Sequence, residues 1–170
     1  MRTKTALSTL GTAAIIAVGA FGSQGFAASA TANLAVSTAV ASNCTVTTAP
    51  VAFGSYDPVV ANASAGLDAT GALTVACTKG AAPSIALALG GNASGSSRRL
   101  SDGAGNYLTY ELYQEAARST VWGTTGGAVL TAAAAPSKAA RNFTVYGRVA
   151  GNQDVPSGNY ADTVVATVNF

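Results

Sequence analysis

Seven carboxylates, two cysteines and no histidine bound the chemistry open to this chain of 170 residues. Without histidine there is no Ser-His or Cys-His nucleophile and no histidine-bearing zinc site. Asp57, Asp68, Asp102, Glu111, Glu115, Asp154 and Asp162 are scattered, mostly beside Gly, Pro or Asn, where turn chemistry accounts for them. Only Glu111 and Glu115 are close in sequence, and on a strand they would share a face; paired-carboxylate glycosidase chemistry is disfavoured. Residues 101–107, SDGAGNY, offer oxygen ligands and glycines in the manner of a calcium loop. They lack the later acidic ligand, so a hairpin turn is the better reading. GGNASGSSRR, at 90–99, has no helix behind it to make an anion cradle and reads as an exposed loop with two arginines. Tyr107, Tyr110, Tyr113 and Trp122 could stack on a sugar, although aromatics so placed more often fill a sandwich core or its rim. Asn43, Asn62, Asn92 and Asn142 each open an N-x-S/T triplet, which chance explains in a chain this rich in Ala, Ser and Thr. The reading thus assigns no catalytic residue, no metal ligand and no cofactor.

The two cysteines, Cys44 and Cys77, take their meaning from the compartment. Residues 1–30 carry Arg2 and Lys4, an apolar run too short to span a bilayer, and then small residues: a secretory signal peptide, with cleavage after Ala27 or after Ala30. In an exported chain one pair of cysteines most simply means one disulfide, and closing a loop of that length stabilises by roughly 4 kcal/mol. No second run of membrane-spanning length follows. Of nine Lys and Arg, two leave with the signal, so the mature chain balances seven acids and is formally neutral. Neutrality with few charges argues against nucleic acid as a partner and favours association over dispersal.

The elements that would position these residues are strands. Beyond the signal, short runs of period two recur between Gly, Pro, Asn and Ser clusters, and one domain of about 140 residues is long enough for a real core. The pattern predicts strands at 43–51, 72–78, 84–89, 107–113, a short one at 121–122, then 128–131, 142–149 and 160–170, an all-β sandwich with immunoglobulin-like connections. Residues 111–118 hold good helix formers but continue the alternation of Leu108, Tyr110 and Leu112, so they read as strand running into a turn. Residues 132–135 could form one helical turn before Pro136. In front of the domain, TANLAVSTAV at 31–40 places Leu34, Val36, Thr38 and Val40 on one face of an extended segment. That face must cover an apolar surface, in its own domain or in another molecule.

NCTV and FGSYDP within 43–58, LTVACT at 73–78, LTYELY at 108–113, VWG at 121–123, FTVYGRV at 143–149 and the terminal VPSGNYADTVVATVNF follow one another in an order that resembles the spore coat protein U domain family, the subunits of archaic chaperone-usher pili. The resemblance spans nearly the whole mature chain. It implies an incomplete immunoglobulin-like sandwich, residues 43–170, lacking its last strand, with residues 31–42 as a donor-strand extension. It also implies partners: a periplasmic chaperone that lends the missing strand, an outer-membrane usher, and neighbouring subunits in a homopolymer at the cell surface, serving attachment and biofilm formation. On that footing Leu34, Val36, Thr38 and Val40 form the donor strand. The acceptor groove comprises Val46, Val51 and Phe53 on one wall and Val164, Ala166, Val168 and Phe170 on the other, where the last strand leaves its edge open. Thr38 is the weakest of the four knobs by hydrophobicity, so Thr38→Val is expected to slow disassembly. The competing reading is a self-complemented, secreted spore-coat or surface sugar-binding sandwich that folds its own extension back.

Overall fold

The computed structural model describes Gly25 and residues 27–170; residues 1–30, expected to form an export signal, fall largely outside the described residues. Two compact units divide at Thr38 and Ala39. In the first, the described residues carry no regular secondary structure and are exposed. The second is all-β. Its strands are β1 (Cys44–Ala49), β2 (Leu67–Cys77), β3 (Ser84–Leu87), β4 (Arg98–Ser101), β5 (Tyr107–Tyr113), β6 (Leu130–Thr131), β7 (Arg141–Val149) and β8 (Ala166–Asn169), with one 3-10 turn at Gly126–Ala128. Five strands form one sheet in the order β1-β2-β7-β5-β4, and three form the other in the order β6-β3-β8. Every pairing is antiparallel.

The strands follow from alternation. Leu73, Val75 and Cys77 of β2, Leu108, Tyr110 and Leu112 of β5, and Val145 and Val149 of β7 all turn inward, onto Ile85 and Leu87 of β3. Period-two burial of this kind is what a sheet with one covered face requires. β1 is the exception: Thr45 to Ala49 are all exposed. It is held instead by its ladder to β2 and by the Cys44–Cys77 disulfide, whose cysteines stand directly opposite each other in that ladder.

Three expectations need correcting. First, the arginines of the glycine-rich segment do not sit on an exposed loop: Arg98 opens β4 and is 0% exposed. Its guanidinium donates to the carbonyls of Leu87, Ala88 and Trp122 and pairs with the Glu111 carboxylate. β4 escaped notice because Ser96 and Ser97, just before it, carry the loop signature, and a buried arginine hides the alternation. Second, β2 begins at Leu67 rather than 72, while the regular part of β8 is confined to Ala166–Asn169. Third, residues 132–135 make no helical turn; Ala132 and Ala135 donate backbone hydrogen bonds to Pro83 and Ala81. The expected strand at 121–122 survives as a bridge from Val121 to Tyr113. Beside it the fully buried Trp122 donates its indole N–H to Ile85 and its amide to Leu112, tying the two sheets together.

After β1 the chain crosses the inner face of the larger sheet. Pro50 ends the ladder, since it has no N–H to offer. Residues 50–53 then lie directly on two glycines: a Cβ at Gly71 would come within 2.7 Å of Val51 Cγ2, and one at Gly147 within 2.7 Å of both Val51 Cγ1 and Phe53 Cζ. Glycine is needed here for close approach rather than for a turn.

Two stability outcomes follow. Arg98→Ala leaves the Glu111 charge and three carbonyls without their partner and is expected to cost about 3–5 kcal/mol. The measurement is urea denaturation followed by Trp122 fluorescence. Adding Glu111→Ala in that background should cost little more, because the pair is already broken. Gly147→Ala is expected to cost about 1–3 kcal/mol through overpacking against Val51 and Phe53, whereas Gly127→Ala, with open space around its Cβ, should lie within about 0.5 kcal/mol of wild type.

Candidate functional site

The side of the sandwich between β8 and residues 50–56 is open. Two adjoining cavities of about 640 and 370 Å³ run along it and share Val51, Phe53, Leu100 and Asp162 in their walls. Leu73, Leu87, Leu112 and Val145 floor the smaller one, and Val155 and Tyr160 border the larger. Among the described residues β8 pairs with β3 alone. The carbonyls of Thr163 and Val165 accept from Gly91 and Ala88, on the β3 side. In an antiparallel ladder the alternate residues then aim their N–H and C=O groups the other way, so 164, 166 and 168 present theirs to the groove. The site therefore combines an apolar trough with a row of backbone donors and acceptors along one wall, the chemistry that receives an extended peptide as an added strand.

Of the residues expected in the groove, the structure brings Val51, Phe53, Val164 and Ala166 together as lining. Val168 is half-buried against the core further along β8, and Phe170 is 55% exposed beyond it. Val46 is not among the lining residues; it is 39% exposed on β1 opposite Val75, which puts it on the inner face of the sheet, the face from which Thr48 reaches the smaller cavity. Leu34, Val36 and Val40 are 88%, 87% and 81% exposed, and Thr38 is exposed as well.

Sequence reasoning missed the polar part of the lining. Asp162 is half-buried between the two cavities, where Oδ1 accepts from the Asn92 amide (3.1 Å) and Nδ2 (3.2 Å), and Oδ2 accepts from the Tyr110 hydroxyl (2.7 Å). Burial, reinforced by that carboxylate, holds the Tyr110 phenol protonated well above its usual range. A Cβ on Gly90, whose φ is +96°, would lie 1.9 Å from Oδ2, so this residue must be glycine for the carboxylate to sit where it does. The parity of 164, 166 and 168 carried back one step points to 162, but Asp162 beside Tyr160 and Ala161 looks like a turn acid. Phe53 meets Tyr110 edge-on at 6.2 Å, which joins the apolar wall to this polar centre.

The other candidate residues resolve into structure. Asp102 accepts from the amides of Ala104 and Asn106 and closes the β4–β5 hairpin. Asn62 is buried and spends its amide on Ala65 and Asp57. Tyr107 is partly exposed with the Arg99 guanidinium 3.9 Å from its ring centre, while Tyr110 and Trp122 are core.

Comparison with known proteins places this architecture. A family model described as the Spore Coat Protein U domain matches residues 30–167. Protein U of Myxococcus xanthus is 39% identical over 157 residues, covering 85% of this chain and 87% of that protein. Among solved structures, a chain from the CsuC–CsuE chaperone–tip adhesion subunit pre-assembly complex, of the archaic chaperone-usher Csu pili of Acinetobacter baumannii, is similar with a TM-score of 0.58 at 18% identity. The match covers 77% of this chain and 40% of that one, so the present chain spans less than half of that neighbour's length. At such identity the likeness concerns the fold, an immunoglobulin-like sandwich. From the family match and the identity to Protein U together, this chain belongs to the spore coat protein U domain family.

Proposed function

We propose that this protein is an exported subunit of a chaperone-usher surface fibre, polymerising by strand donation between copies and serving attachment and biofilm formation. The observation that carries the reading is the trough beside the one-sided β8. Its apolar lining and outward-facing backbone groups match an extended segment of alternating apolar residues, and the chain owns such a segment at 31–40, with its apolar face exposed. Residues 31–40 of a neighbouring copy fill the groove in the fibre. Before assembly a periplasmic chaperone covers it, as the chaperone–subunit complex of the structural neighbour suggests; an outer-membrane usher then exchanges one strand for the other. The signal-like residues 1–30 agree with passage through the periplasm to the surface.

Magnitude favours a durable joint. Burying Leu34, Val36 and Val40 gains about 1.5–3 kcal/mol each, and each new backbone hydrogen bond about 1 kcal/mol net, before the cost of ordering the segment. That total is comparable to the stability of a whole domain.

Deleting residues 31–40 in the cells that make the protein, with residues 1–30 intact, is expected to abolish filaments in negative-stain electron micrographs while the exported subunit persists in the periplasm. Filaments of normal length from the deletion strain would overturn the proposal. So would a wild-type chain that purifies as a heat-stable monomer with residues 31–40 protected from protease, the signature of self-complementation.

A further inference from the structure

We infer that the register of the incoming strand is set by one polar pair: Thr38 of the donor copy gives its hydroxyl to Asp162 in the acceptor's groove. The inference rests on the strand-donation reading above and adds what decides where the strand stops.

A filled groove shields Asp162 from water, and the structure supplies it with three donors, from Asn92 and Tyr110. A carboxylate has roughly four acceptor positions, so about one remains, on Oδ2, which also packs against the Gly90 backbone. Covering a charged oxygen with an aliphatic side chain leaves that position unsatisfied, which is costly away from water. Within the donor face Leu34, Val36, Thr38, Val40, a single residue carries a hydroxyl.

Backbone geometry allows this match and few others. Residues 164, 166 and 168 direct their hydrogen-bonding groups to the open side and their side chains inward, so the donor's even-numbered face must stand opposite even-numbered acceptor positions. Only shifts by two residues remain. A parallel strand with Thr38 at Asp162 would lay Leu34 and Val36 along 158–160, where Pro156 and Gly158 interrupt any ladder. An antiparallel strand, the sense of every pairing in this domain, lays them along β8 instead. That register sets Val36 against Val164 and Leu34, the bulkiest donor, against Ala166, the smallest acceptor, and brings Val40 to Tyr160 at the larger cavity. Moving the strand by two in either direction puts valine on Asp162. Directly opposed Cβ atoms in a sheet lie about 5.5 Å apart, within reach of a threonine hydroxyl to an aspartate oxygen.

Hydrophobicity alone says that Thr38→Val slows fibre dissociation; the polar pair reverses the sign. Filaments of Thr38→Val subunits are expected to dissociate in guanidinium on the order of tenfold faster than wild type, the loss of one hydrogen bond to a charged group. Thr38→Ser, which keeps the hydroxyl, should stay within about threefold. Independently, Val36→Cys with Val164→Cys should link neighbouring subunits under oxidation, giving a ladder on non-reducing gels, whereas Val36→Cys with Ala166→Cys should not. Thr38→Val filaments that dissociate at the wild-type rate or more slowly would sink the inference, as would cross-linking at Ala166 in place of Val164; strand donation itself would stand in both cases. Wild-type subunits that never polymerise would remove strand donation and this register together.

Discussion

A sheet edge that borders an apolar trough is the constraint from which the rest of this molecule follows. β8 is hydrogen-bonded on one side, and the groups on its other side open onto Val51, Phe53, Leu73 and Val145. Water satisfies the backbone there poorly and wets the side chains at a cost, so the two demands can be met together only by an extended peptide with alternating apolar residues. Edges of this kind are usually blunted by charge, proline or a bulge. Here the neighbouring residues Val164, Ala166 and Val168 are apolar and small, and the edge is kept available.

Availability depends on the trough holding its shape while unfilled, and three devices far apart in sequence share that task. The Cys44–Cys77 link fastens β1, which buries almost nothing of its own, to β2. Gly71 and Gly147 let residues 50–53 rest on the sheet, so the wall opposite β8 stands at a fixed height. Arg98, Glu111 and Trp122 bind β3, β4 and β5 together inside the sandwich. Buried charge is an inefficient source of stability. As a device for joining two sheets it has the merit that it can be satisfied in one geometry only, because each donor of the guanidinium has a particular carbonyl or carboxylate to find.

How much of this was legible beforehand depended on whether a residue's type agreed with its environment. The apolar alternation of 73–77, 108–112 and 143–149 announced strands with one covered face, and they are so. Val51, Phe53, Val164 and Ala166 line one trough, whereas Val46, equally apolar and on the same early strand, stays 39% exposed at the sheet edge although it shares the inner face with Val75. Val51 and Phe53 reach the trough because the chain leaves the sheet at Pro50, and the two glycines that permit this lie more than 20 residues further on. Arg98 and Asp162 were opaque for the opposite reason. Charged residues that closely follow Gly-, Ser- or Asn-rich stretches are ordinarily solvent-facing turn residues. Their burial is the product of partners, Glu111 for one and Tyr110 with Asn92 for the other, that only the folded arrangement brings near.

A carboxylate in an otherwise apolar groove looks like a defect if affinity is the sole requirement. Alternating strands are degenerate: Leu, Val and Val can slide by two residues with little change in buried area, and backbone hydrogen bonds re-form at every step. A fibre built from slipped joints would vary in spacing from one subunit to the next. One polar position penalises each slipped register by an uncompensated charge and leaves the intended one satisfied, so the discrimination comes from what is made unfavourable rather than from added attraction. In the proposed joint the same logic explains why Thr38, the weakest hydrophobic residue of its face, sits third of four. A polar key at either end could be escaped by fraying, whereas in the interior it must be matched before the apolar residues on both sides can seat.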